Sequence, residues 1–269
     1  MDAIVRVLAE DPEIEAGWLG GSLGRGAGDA FSDVDVVALV AAAPAAEVGL
    51  RYSRDVASIA EPALVNVLYG GRVVNVVTTD WGRFDISFIE PLELARFNAA
   101  QLTALFNRGS RSPPRAAPAP YQTDAVAVLR LVNEFLRVLG LLVGCIGREE
   151  YLLGLAGADI LRRLTIDLML EENGVSPIER GGALRRNPLL TPDQRRELAT
   201  LAPVAANRAG IIAGNAELAA IFLPRARRLA DKVGTEWPAV FEEATKRHLR
   251  DHLGLVIDQP AAGAGRPAG

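Results

Sequence analysis

Asp33 and Asp35 flank a single valine in Ser32-Asp33-Val34-Asp35-Val36. On a strand, that spacing turns both carboxylates to one face and Val34 and Val36 to the other. Two like charges side by side repel, and a cation between them is one reason to keep both ionised. Mg²⁺ suits the task, since it takes one or two carboxylates together with phosphate oxygens and water. Alone, the pair also reads as the solvated start of a strand and carries little weight.

Upstream lies Gly20-Gly21-Ser22. A turn of small residues lets backbone N–H groups approach phosphate oxygens, and a helix starting there adds its positive end. The Ser22 hydroxyl is a further donor. Arg25 is near enough in sequence to reach the same anion, or else is a surface charge. Gly26 and Gly28 keep the following loop open. Glycine loops are common, so the glycines by themselves do not separate a cradle from a turn.

The combination is more specific. Leu19-Gly20-Gly21-Ser22, a spacer, then Asp33-Val34-Asp35-Val36 resembles the signature of the DNA polymerase β-like nucleotidyltransferase superfamily. Gly24-Arg25-Gly26 and Asp29 ahead of Ser32-Asp33 match the form common in small bacterial members. The resemblance covers about the first 40 residues. It implies a third carboxylate on a later strand. Asp85, in Gly82-Arg83-Phe84-Asp85-Ile86-Ser87-Phe88, alternates with apolar residues and leaves the apolar face of its strand. Asp80 competes but falls in a presumed turn. The resemblance further implies that Asp33, Asp35 and Asp85 hold Mg²⁺, and that Gly20, Gly21, Ser22 and Arg25 hold the phosphates of ATP or another NTP. An acceptor hydroxyl would attack the α-phosphorus in line and pyrophosphate would leave, with Asp85 a metal ligand, the general base or both.

These residues need a sheet to position them. Ala3 to Glu10 reads as a short helix, and Ile14 to Leu19 leads into the glycine loop. Val34 to Val40 reads as a central strand. Val48 to Ala57 is a helix; Ala63 to Leu68, Arg72 to Val77 and Arg83 to Ile89 are strands, the last two joined by a turn at Thr79-Asp80-Trp81-Gly82. Pro91 to Leu105 reads as a short helix. Residues 107–120 carry Pro113, Pro114, Pro118 and Pro120 and read as a linker. Helices follow at Tyr121 to Cys145, Tyr151 to Glu172, Pro192 to Leu201, Arg208 to Lys232, with a kink or break at Pro224, and Trp237 to Leu253. The expected fold is α+β: a nucleotidyltransferase domain over residues 1–106 with a mixed β-sheet flanked by helices, then an all-α domain over 121–257 and a disordered tail over 258–269.

Composition narrows the function further. The 269 residues are 49% hydrophobic and 23% charged, with a net charge of -4. That mix suits a folded protein with a sizeable core and argues against a broad nucleic-acid-binding face. The single Cys145 reads as a buried, inert thiol, and His248 with His252 as a solvated helix face. No secretion signal opens the chain, and the apolar stretch from Ala125 to Ile146 contains Arg130, Asn133, Glu134 and Arg137, so a cytoplasmic protein without membrane contact is expected. Kinase signatures are absent.

A sheet domain followed by a helical domain is similar to the aminoglycoside and lincosamide nucleotidyltransferases of antibiotic resistance. The larger lincosamide type is nearest in layout. That implies a small-molecule hydroxyl acceptor and a monomer or homodimer. Glu134, Asp159 and Asp167 could meet a cationic drug, but surface ion pairs are favoured. Tyr151 and Trp237 could form stacking walls, but core packing is favoured. The chain lacks the dense acidic patch of enzymes that modify aminoglycosides. Two alternatives are a protein-modifying nucleotidyltransferase of toxin–antitoxin type, which the long helical half counts against, and a non-catalytic nucleotide-binding module, which the retention of all three acids counts against.

Overall fold

The computed structural model describes residues 1–115, 121–177, 179–180 and 186–257. The chain divides into two compact units, Met1–Ala119 and Pro120–Gly269. The first is a six-stranded mixed sheet with helices and the second is helical, which is the α+β architecture that the sequence suggests.

The sheet unit opens with helix α1 (Asp2–Glu10) and strand β1 (Ile14–Leu19). A single helical turn, α2 (Gly21–Gly24), precedes β2 (Val34–Val40). Then come α3 (Ala45–Arg54), β3 (Pro62–Leu68), β4 (Val73–Thr78), β5 (Arg83–Ile89) and β6 (Thr103–Asn107). The strand order is β3-β4-β5-β2-β1-β6. Only β2 and β5 run parallel; the other neighbours are antiparallel. The valine-rich run of β2 makes it central, since both of its faces are covered beyond Asp35. On one face Val36 and Ala38 join Ile86 and Phe88 against Ile4 and Leu8 of α1 and Val48 and Tyr52 of α3. On the other, Val37 and Leu39 pack with Trp18, Ile89 and Leu94.

Two expectations need correcting here. The helix expected over Pro91 to Leu105 is two short 3₁₀ turns, Pro91–Arg96 and Ala99–Gln101, followed by β6. Pairing with the free edge of β1 decides this, since Trp18 and Leu19 sit opposite Ala104 and Thr103. The expected linker is also not free in its described part. Arg108 donates to the carbonyls of Asp11 and Ile14, Arg111 pairs with Glu15, and the Ala99 N–H donates to the Pro114 carbonyl (3.0 Å). Residues 107–115 thus lie on the sheet unit; 116–120 and the tail expected over 258–269 are outside the described residues.

The helical unit comprises α4 (Ala125–Gly147), α5 (Tyr151–Glu172), α6 (Pro192–Ala199), α7 (Arg208–Val233) and α8 (Ala239–Leu253). Caps set the starts. Asp124 accepts from the Val126 N–H (3.0 Å), which places the first turn of α4 after Tyr121. Thr191 and Gln194 form a reciprocal capping box on α6. Helix α7 runs through Pro224 without a break, because Phe222, Leu223 and Ala226 are buried on either side of it. At the centre Phe135 and Phe222 stack with centroids 3.8 Å apart. Among the described residues no helix is long and apolar enough to cross a membrane.

Candidate active site

The parallel pairing of β2 with β5 places Asp35 opposite Asp85, with Val34 opposite Phe84 and Val36 opposite Ile86. Phe84 and Ile86 are buried on the far face, so both carboxylates emerge on the near one. Asp33 precedes β2 by one residue. Burial pushes the Asp35 carboxyl above its ordinary range. The charges of Asp33 and Asp85 push the same way, and Arg25 partly offsets them. Among the described residues no lysine or arginine forms an ion pair with any of the three acids. On its other side, Asp85 Oδ1 accepts from Asn75 Nδ2 (2.5 Å).

The glycine turn closes onto this pair. The Gly20 N–H donates to the Asp35 carbonyl (2.8 Å), and the Gly24 N–H to the Gly20 carbonyl (2.6 Å). Gly21 has φ +56°, and a Cβ there would stand 1.7 Å from Asp35 Oδ2. Only glycine allows both the left-handed backbone and this approach. The helix expected to start here is a single turn, Gly21–Gly24. It is too short for a substantial macrodipole, so what it offers an anion is the N–H groups at its start, which have no intrahelical partner.

Across the loop, the Ser22 hydroxyl donates to the Ser32 hydroxyl oxygen (3.0 Å), which in turn donates to Asp29 Oδ1 (3.1 Å). Asp29 Oδ1 also accepts from the Phe31 N–H (3.0 Å). Arg83 Nη2 reaches from β5 to the Phe31 carbonyl (2.8 Å). Ser32, Asp29 and Arg83 therefore shape the loop. Sequence reasoning missed Arg83, although its place two residues before Asp85 gave the alternation that puts both on one face. Arg25 is exposed at the end of the turn, and its charge is felt at Asp35.

The donor set is all carboxylate oxygen, which suits a hard divalent cation and not a nitrogen- or sulfur-seeking one. Among the described residues, however, no three or more His, Cys, Asp or Glu lie together as a ready-made metal cage. Asp35 and Asp85 are the in-register pair, and Asp33 acts on Asp35 through its charge. Phosphate oxygens and water would have to complete the shell around a bound Mg²⁺.

No family model matches the chain, and no curated protein does. Among solved structures it is similar to the crystal structure of an aminoglycoside 6-adenyltransferase from Bacillus subtilis. The identity is 14% and the TM-score 0.44, over 92% of this chain and 95% of that one.

The remaining candidates fall into structural roles. Asp80 is held within its own turn by the Thr78 hydroxyl and the Gly82 N–H, which keep its carboxyl below the ordinary range. Glu134 pairs with Arg137 (2.7 Å), Asp159 with Arg163 (2.5 Å) and Asp167 with Arg186 (2.7 Å). Tyr151 and Trp237 pack against the helical core. His248 and His252 are exposed and meet edge to face. Cys145 is half-buried rather than buried, with its thiol donating to the Glu150 carbonyl (2.8 Å).

Proposed function

We propose that this protein is a nucleotidyltransferase, acting in the cytoplasm, that moves a nucleoside monophosphate from an NTP, with ATP the first choice, to a hydroxyl of a small molecule and releases pyrophosphate. The single observation that carries this reading is the register of Asp35 with Asp85, onto which the Gly20-Gly21-Ser22 turn closes without room for a Cβ. Two repelling carboxylates without an ion pair among the described residues, next to the backbone N–H groups of the turn, suit the binding of a metal-bound polyphosphate.

Asp33, Asp35 and Asp85 would hold Mg²⁺, which supplies charge neutralisation on the triphosphate when bound. The turn presents its N–H groups to the β- and γ-phosphates. Ser22 contributes a hydroxyl that rotates from Ser32 to phosphate. Arg83, through the Phe31 carbonyl, keeps the loop from Asp29 to Ser32 in place while the donor binds. Asp85 takes the proton of the attacking hydroxyl, the role that general-base catalysis assigns to a carboxylate within reach. Positioning and electrostatic stabilisation supply most of the rate. For the acceptor, the sequence resemblance favours an antibiotic of the aminoglycoside or lincosamide class, and the missing acidic patch favours the less basic one.

The test is mass spectrometry of the full chain incubated with Mg²⁺, each NTP and a panel of hydroxylated compounds including both drug classes. A mass gain of one nucleoside monophosphate, lost in Asp35→Asn, is expected. No gain with any pair of substrates, or undiminished transfer by Asp35→Asn, overturns the reading.

A further inference from the structure

The sheet face that bears Asp35 and Asp85 continues outward as a row of amides. Asn75 on β4 stands opposite Asp85, and Asn66 on β3 stands opposite Asn75. Residues in register on neighbouring strands project from the same face. Asp35, Asp85, Asn75 and Asn66 thus form one row across four strands. Hydrogen bonds run along it in one direction. Asn66 Nδ2 donates to Asn75 Oδ1 (3.2 Å), and Asn75 Nδ2 donates to Asp85 Oδ1 (2.5 Å). A carboxylate only accepts, so Asp85 needs the NH₂ end of the Asn75 amide, and the bond from Asn66 to Asn75 Oδ1 supports that orientation. The same-face neighbours of Asn75 along β4 are Val73 and Val77, which offer the amide no competing partner.

We propose that Asn75 is a positioning residue for Asp85 and that Asn66 fixes the orientation of the Asn75 amide. This rests on the nucleotidyltransferase reading above. The hydrogen bond from β4 takes one lone pair of Asp85 Oδ1 and leaves Oδ2 fully open to the reacting groups. Its carboxylate is thereby held against the repulsion of Asp35 on the opposite side.

Two kinds of measurement test this. In steady-state transfer assays with Mg²⁺ and ATP, Asn75→Ala is expected to lower kcat about tenfold to a hundredfold and to leave KM for ATP nearly unchanged, the pattern of a misplaced reacting group. In the Asp85→Ala background, Asn75→Ala should cost nothing further, because both changes remove the same interaction. Asn66→Ala should show a smaller loss, about threefold. Independently of activity, the side-chain amide signals of Asn75 in ¹H–¹⁵N spectra of the wild-type chain should move in Asp85→Ala while the backbone signals of the helical unit stay in place. Additive losses in an active enzyme, or an Asn75 amide indifferent to Asp85, overturn the positioning alone. A wild-type protein without transfer activity overturns the nucleotidyltransferase reading and the kinetic role with it.

Discussion

Asp35 in the sheet unit is half-buried and Glu242 in the helical unit is buried, yet their affinities for a proton shift in opposite directions. Burial is the leading cause at each and pushes both upward. At Glu242, hydrogen bonds from Trp237, Lys246 and Arg227 outweigh it, and the carboxyl ends below its ordinary range. At Asp35, the neighbouring charges of Asp33 and Asp85 add to it, and the carboxyl ends above. The rest of the helical unit follows Glu242. Arg180 reaches the buried Glu171, and Arg225 bridges Glu172 and Glu197. Charges there are neutralised inside the protein, whereas Asp33, Asp35 and Asp85 have no ion-pair partner among the described residues. The difference separates a stability device from a site under strain.

The strongest way to break that comparison is Asp35→Asn. Transfer should fall by about a thousandfold or more, the scale for removing a group that stabilises charge in the reaction. The protein should also become more heat-stable at neutral pH. A carboxyl whose folded pKa lies above its unfolded one favours folding fully only below the unfolded value, and that contribution is lost as pH rises through the folded pKa. Asparagine does not ionise, so the gain in melting temperature should appear above roughly pH 4, the ordinary aspartate range, and vanish below it. Thermal melts across pH read this directly. A loss of stability at neutral pH would show that Asp35 is paired after all.

Glu242→Gln is the mirror experiment. It should destabilise the chain by about 2 kcal/mol at neutral pH, less than the loss for a fully buried pair because Arg227 is half-exposed. Here the folded pKa lies below the unfolded one, so the stabilisation is present above the ordinary glutamate range and lost as pH falls through the lowered value. Urea titrations at neutral and acid pH should therefore converge for wild type and variant. Transfer activity should be unaffected apart from the lower stability.

Elements also differ in how far their sequence can be read. The bounds of β1, β2, β5 and α5 follow from local apolar pattern and coincide with those expected. Strand β6 does not, because Thr103 to Asn107 becomes a strand only by pairing with β1, which lies over eighty residues away. The chemistry divides in the same manner. Asp33, Asp35 and Asp85 are visible as types and spacing, and so is the glycine turn. What holds them is not: Arg83 meets Phe31 across the sheet, and Asn75 meets Asp85 across two strands. Such partnerships depend on register, which no local window of sequence carries. Gly21 lies between these cases. Its place in a motif is legible, but the reason it must be glycine is the carboxylate of Asp35. Gly21→Ala should cost about 1–3 kcal/mol from the left-handed backbone and the clash, read by chemical denaturation, and should weaken binding of the NTP.

Arg83 gives the smallest effect and the finest division between the two units. The arginines of the helical core neutralise acids, so losing one should show as lost stability. Arg83 instead holds a carbonyl, that of Phe31, at the partly exposed start of β5. Its removal leaves an exposed backbone oxygen that water can satisfy, and stability should change by no more than about 0.5 kcal/mol. The loop from Asp29 to Ser32 loses its tether to the strand that carries Asp85, so ordering it falls to the incoming nucleotide. Arg83→Gln should therefore raise KM for the NTP by about threefold to tenfold at nearly constant kcat, the signature of binding energy spent equally in ground and transition states. Arg83→Lys tests the alternative that charge alone matters: a lysine keeps the charge but not the planar fork, and should recover only part of the loss. A fall in kcat with KM unchanged would place the Arg83 guanidinium at the reacting phosphate instead, and the sheet unit would then contain, besides the Arg25 expected at the phosphates, a second cation that works on the substrate directly.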